Sequence, residues 1–348
     1  MPINSIPKEE LIFIFKQNKD PADKGIMKTK LKLSFIIVIS LSVAVICGGI
    51  TFGDGIDSSK IYMKKASRFY EPSIQESLYR EAIRTKADCA ECYFELGKLF
   101  ISIGEYPSAL SELYFAREFN PELENLHYYF GYAYEMLNDF PEAIREYSLC
   151  IKKDKQLKIL AEAHLSIGTI YDAMALPESS AVHYEEAIRL DSTSATAYYN
   201  LGISYDDRTL YKKAIECYYR AYQLDGTDSD ALINMGVDYC KIGEFAKAID
   251  IFKRALKQSP DNYKLNYNLA NAYYLAGNLK SAKRLFEHTI SIEPGKAESY
   301  YHLAQICEKL RDFKSAKENY AKFIKLASPI YEIAIQQVRQ KLDSLKLR

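Results

Sequence analysis

The chain has 348 residues, 48% of them hydrophobic, with 46 basic and 46 acidic side chains. That is enough apolar material for one elongated or two compact domains. A formal charge of zero gives no electrostatic footprint for nucleic acid.

In chain order, residues 1–32 form a basic segment, with Lys24, Lys28, Lys30 and Lys32 ahead of an apolar run. The run, Leu33 to Gly53, holds 21 uncharged residues, about 31 Å as a helix, which matches a bilayer core of about 30 Å. Asp54 and Asp57 follow it. The charge asymmetry expects a cytoplasmic N-terminus and a C-terminal part on the far, extracytoplasmic side. The glycines after Ile46 shorten the strongly apolar part to Leu33–Ile46, the size of a signal-peptide core. Read from Met27, the stretch also resembles a bacterial signal peptide, and "AVIC" resembles a relaxed lipobox ending at Cys47, a candidate lipidation site. An uncleaved anchor, a cleaved signal and a lipoprotein signal are the three readings.

Residues 54–89 read as a linker followed by a helical hairpin over 58–88, a degenerate opening unit with Tyr79 and Ala82 at the register of the later units but no Leu-Gly. From residue 90 to 328 the text repeats. "YFELGKLF" (93–100), "HYYFGYAY" (127–134), "HLSIGTIY" (164–171), "YYNLGISY" (198–205), "LINMGVDY" (232–239), "NYNLANAY" (266–273) and "YYHLAQIC" (300–307) align at offsets of 34, 37, 34, 34, 34 and 34 residues. A three-residue insertion around Lys155–Leu157 accounts for the exception. Units are expected to start near 90, 124, 161, 195, 229, 263 and 297. Small residues recur at Gly97, Gly131, Gly168, Gly202, Gly236, Ala270 and Ala304, and twelve residues later at Ala109, Ala143, Ser180, Ala214, Ala248, Ala282 and Ala316. Glycine inside a helix costs about 1 kcal/mol relative to alanine, so the repetition has a packing reason. "SIGEY" (102–106), "MLNDF" (136–140) and "KIGEF" (241–245) read as turns between two helices of one unit. Residues 329–348 read as a capping helix, with Tyr331, Ile335, Val338, Leu342 and Leu345 on one face.

This pattern of aromatic, Leu-Gly, Tyr, Ala, aromatic and Ala over 34 residues resembles the tetratricopeptide repeat (TPR) family. The resemblance implies an all-α TPR solenoid: a right-handed superhelix of antiparallel helix pairs, about seven repeats between the hairpin and the cap. The last unit departs most, with Cys307 for the usual Tyr and Phe323 for the usual Ala, which suggests a volume-compensating swap.

The sequence carries no phosphate loop, no His-Glu-x-x-His and no Gly-x-Ser-x-Gly, so no enzyme activity, cofactor, metal or small-molecule substrate is expected. The histidines, His127, His164, His183, His288 and His302, are read as scattered through different repeats. Cys89 and Cys92 form a lone Cys-x-x-Cys, read as structural, with a local disulfide if the domain is exported.

What remains is a surface. The resemblance implies a concave face, lined by the first helix of each unit, that binds an extended peptide or partner helix. The matching positions carry Phe94, Tyr128, Tyr199, Tyr267 and Tyr301, with Asn200, Asn234 and Asn268 beside them. An amide offers both donor and acceptor, so this row is a candidate peptide-backbone ladder, the alternative being that the resemblance alone accounts for it as inherited scaffold. Glu135, Asp172, Asp206 and Asp207 lie further along the same helices and would make either an acidic channel or an ordinary solvated face. The Lys/Asn clamp of chaperone-binding relatives is not matched, because Phe94 and Tyr128 stand where its lysine is expected. The expected function is a membrane-tethered scaffold for another protein. The alternative is an accessory subunit or lipoprotein of a bacterial envelope assembly, used through its convex face.

Overall fold

The computed structural model describes residues 57–227 and 229–346. The basic segment 1–32, the apolar run 33–53, Met27 and Cys47 lie outside the described residues. Among the described residues no helix is long and apolar enough to cross a membrane.

Helices α1 (Ser58–Ala66) and α2 (Pro72–Thr85) form the opening hairpin. Seven pairs follow: α3 (Ala90–Ser102) and α4 (Tyr106–Phe119), α5 (Leu126–Met136) and α6 (Phe140–Lys153), α7 (Leu157–Ala173) and α8 (Pro177–Leu190), α9 (Ala195–Asp207) and α10 (Tyr211–Leu224). The series continues with α11 (Ser229–Lys241) and α12 (Phe245–Leu256), α13 (Tyr263–Leu275) and α14 (Leu279–Ile292), α15 (Ala297–Lys309) and α16 (Phe313–Leu326). A 3₁₀ turn (Pro329–Tyr331) leads into α17 (Glu332–Lys346). Two first helices start away from their expected points: α5 at Leu126 and α7 at Leu157, against 124 and 161. The three-residue insertion is absorbed as an extra turn at the start of α7.

The small-residue register explains the pairing. The second-helix positions Ala109, Ala143, Ser180, Ala214, Ala248, Ala282 and Ala316 are all fully buried. The large residues opposite the glycines, Leu113, Tyr147, Tyr184, Tyr218 and Phe252, are buried to 1% exposure or less. A methyl group added at Gly168 would stand 2.5 Å from Tyr184 Cε1, and one at Gly236 would stand 2.5 Å from Phe252 Cε1. Glycine is what lets these rings lie flat on the first helix.

Each unit turns between its helices through one left-handed residue at a single register position. They are Gly104, Asn138, Ala175, Thr209, Gly243, Gly277 and Arg311, with φ between 58° and 81°. This geometry closes the first helix and frees the chain to start the next.

The ends are covered as the pattern requires. Ala66 and Tyr79 pack on Leu96, Leu99, Phe100 and Ala109 of the first full unit. On α17, Ile335, Val338 and Leu345 are buried while Gln336 and Arg339 are exposed. Phe323 does not fill space left by Cys307: its nearest rings are Tyr301 at 5.1 Å and Tyr331 at 6.3 Å, on the side of the cap. Cys307 packs instead with Ala270, Phe286 and Leu303.

Candidate protein-binding face

First helices of neighbouring units touch directly at α3–α5, α5–α7, α7–α9 and α11–α13. No pair of successive second helices makes a comparable contact among the described residues. Side chains bridge the two remaining steps, Asn234 to Tyr199 between α11 and α9 and Tyr267 to His302 between α13 and α15, so the first helices form one face that carries the candidate residues.

Tyr128, Tyr199, Tyr267 and Tyr301 are all half-buried there. Tyr128 lies edge-on to Tyr129 at 5.4 Å and against Tyr147 at 5.8 Å. Burial, with Glu162 beside it, holds its hydroxyl above the usual phenol range. Tyr267 packs edge-on to Phe286 at 5.6 Å and His302 at 5.7 Å. These rings are part core and part surface, so each is held rigidly and pays little further entropy on contact with a partner.

The asparagine row divides. Asn234 donates from Nδ2 to the Tyr199 hydroxyl at 3.2 Å, a link between successive first helices. Asn200 lies close enough to the buried Tyr184 hydroxyl to offset part of the rise that burial causes there. Asn268 is only 7% exposed. Two of the three amides thus already serve the scaffold. Asn234 is half-buried on the face.

Two of the acids have partners within the scaffold. Asp172 accepts from the Tyr184 hydroxyl at 2.7 Å and from Ser204 Oγ at 3.4 Å. Asp206 pairs with Lys241, whose ammonium also meets Asp238 Oδ1 at 2.9 Å. Asp238 is buried, and burial pushes its carboxyl above the usual range. Burial works against the Lys241 charge, but Asp238 and Asp206 hold its ammonium above the ordinary value. Asp207 is exposed at the end of α9. Asp172 and Asp206 are thus half-buried and already bonded within the scaffold, while Asp207 is exposed.

Three relationships were not found from the sequence. One is the tyrosine–acid strut, whose members stand twelve residues apart at Asp172–Tyr184. The second is the Lys241–Asp206 pair, thirty-five residues apart. The third concerns the histidines. His164 and His183 lie in the same unit, not in different ones, with Nδ1 atoms 3.1 Å apart. His127 is structural, its Nδ1 bonded at 2.7 Å to buried Glu146, which Arg117 and Arg145 also reach. His302 is buried on α15, and burial pulls its imidazole down to about 4.

Cys89 and Cys92 are joined by a disulfide at the start of α3, and both are buried. Cys150, Cys217, Cys240 and Cys307 are buried free thiols. Burial raises those of Cys150, Cys217 and Cys240 to about 12, so they are inert core residues at neutral pH. No group of three or more metal-ligating side chains occurs among the described residues.

Comparison with known proteins gives consistent relatives. Tetratricopeptide repeat family models match residues 193–261, 241–290 and 297–329. Superkiller complex protein 3 of Mus musculus is 29% identical over 111 residues, 31% of this chain. The chain spans only 7% of that protein's length. Among solved structures, the C-terminal part of a TPR repeat-containing protein from Cytophaga hutchinsonii superposes with a TM-score of 0.59 at 18% identity. It covers 67% of this chain and 95% of its own, a likeness of fold. MamA is 27% identical with a TM-score of 0.46, covering 50% of this chain and 94% of its own. The 34-residue repeat, the stacked helix pairs and the matched family models place this chain in the tetratricopeptide repeat family.

Proposed function

We propose that this protein is a membrane-tethered scaffold that holds an extended segment or helix of another protein against the face of its first helices. One observation carries the reading. Tyr128, Tyr199, Tyr267 and Tyr301 recur at one register position on that face, with Asn234 bonded to Tyr199 across two units. Rigid aromatic surface flanked by amides suits a polypeptide, which offers apolar side chains and a hydrogen-bonding backbone at a regular spacing. Exposed Asp207 adds a preference for basic segments. The tether is the apolar run 33–53, and the basic residues ahead of it favour an extracytoplasmic location for the repeats. The Cys89–Cys92 disulfide supports that location, since such bonds persist in oxidising compartments.

Co-purification from membranes tests this. A chain carrying Asn234→Ala and Asp207→Lys should lose the partners that the unaltered chain retains. Recovery of the same partners at the same yield would favour the second reading, assembly through the second-helix surface. Its support is a set of apolar side chains on second helices, including Tyr114, Phe115, Phe119 and Tyr219, each 42–50% exposed.

A further inference from the structure

His164 on α7 and His183 on α8 face each other within one helix pair. Their Nδ1 atoms are 3.1 Å apart, and their ring centres 5.2 Å, with the planes inclined by 38°. Both are half-buried, and the Tyr171 ring walls one side, 5.5 Å from His183. Imidazole nitrogens sit about 2.0–2.1 Å from zinc, so two on one ion stand about 2.9 Å apart at a right angle and about 3.3 Å apart at the tetrahedral angle. The observed separation lies between these values.

We propose that His164 and His183 form a two-imidazole site for a divalent transition-metal ion, with Zn2+ as the probe. Imidazole suits zinc, copper and nickel, and disfavours the hard ions magnesium and calcium. No third His, Cys, Asp or Glu completes the set among the described residues, so water fills the remaining positions. Burial holds both imidazoles below their ordinary range, which leaves both rings neutral at pH 7. Glu186, on α8, is the nearby carboxylate; it is bonded to Arg189 at 2.7 Å, and the Arg189 charge acts on His164 in the opposite sense.

The proton balance is simple. Without metal, one Nδ1–H donates to the other Nδ1. On metal binding the donor ring carries its hydrogen on Nε2 instead, so both Nδ1 lone pairs reach the ion and no net proton is released. The register is specific to this unit. The same nineteen-residue relationship in the preceding unit is His127 with Glu146, already closed by Arg117 and Arg145.

Calorimetric titration of the full-length, untagged chain with zinc chloride at neutral pH tests the site. One saturable event is expected, lost in His164→Gln and in His183→Gln, and retained in His288→Gln, which alters an exposed histidine. Circular dichroism confirms that each variant stays folded. Zinc X-ray absorption of the unaltered protein gives an independent reading, with two imidazoles and oxygen neighbours expected. Absence of saturable binding, its survival in either paired variant, or a zinc spectrum without imidazole overturns the proposal.

Discussion

Tyr184 donates its hydroxyl hydrogen to Asp172 Oδ2 at 2.7 Å, joining the second helix of a unit to the end of its first. The same strut recurs between Tyr147 and Glu135 at 2.7 Å and between Tyr320 and Glu308 at 3.0 Å. Each tyrosine ring is buried, so the acid closes a hydroxyl that would otherwise be stranded in the core.

Asp172→Ala removes the acceptor and is expected to destabilise the protein by about 1–3 kcal/mol. Tyr184→Phe, which removes the need for an acceptor, should cost less. The double variant should cost less than the sum of the two, because the members share one interaction. Urea denaturation of the four proteins gives the coupling directly, and additive losses would show that the strut carries no energy.

Gly202→Ala places a methyl group 2.6 Å from Tyr218 Cε1, while Gly97→Ala meets Leu113 at 3.0 Å. Leu113 is flexible and Tyr218 is a rigid ring against the helix. Overpacking typically costs about 1–3 kcal/mol, which outweighs the gain of about 1 kcal/mol in helix propensity at Gly202. Gly202→Ala should therefore lower the melting temperature and Gly97→Ala should lower it less. Equal effects at the two positions would contradict the packing account.

His302 adds a pH dependence with a definite sign. Its imidazole is lowered from 6.5 to about 4 by burial, so the unfolded chain takes up a proton there more readily than the folded one. Stability from this residue is complete above about pH 6.5 and is lost as pH falls towards 4, by roughly 3 kcal/mol in all. His302→Phe keeps a ring beside Phe286, now 5.3 Å from His302, and removes the titration. Denaturation midpoints between pH 7 and 4 should fall less steeply in that variant. Parallel curves would show that His302 does not titrate in this range.

The Cys89–Cys92 bond closes a very short loop, so its loss should cost no more than about 2 kcal/mol and leave the repeats folded. Its value is as a reporter of compartment. Cells lysed directly into denaturant with alkylating agent should yield a chain with Cys89 and Cys92 unmodified until reductant is added. Complete alkylation without reductant would place the repeats in a reducing compartment, against the proposed extracytoplasmic location.

The fold was legible because a 34-residue period repeats both small and bulky residues in register, as Gly202 with Tyr218 shows. Long-range packing here is local packing repeated. The binding face was legible as a register position, but not the occupation of its side chains. Whether Asp172 faces solvent depends on a hydroxyl twelve residues away, and whether Asp206 is neutralised depends on Lys241 in the next unit. Neither fact has a local signature. The His164–His183 contact had one, since both residues fall within one unit, but it shows only when spacing across the helix pair is compared between units.

Site-specific photo-crosslinking in membranes tests the central claim most directly. A photoreactive phenylalanine at Tyr199 or Tyr301, on the first-helix face, should trap one discrete partner band. The same group at Val182 or Tyr219, on second helices and 58% and 50% exposed, should trap none. Crosslinks confined to Val182 and Tyr219 would contradict binding on the first-helix face and assign the interaction to the second-helix surface.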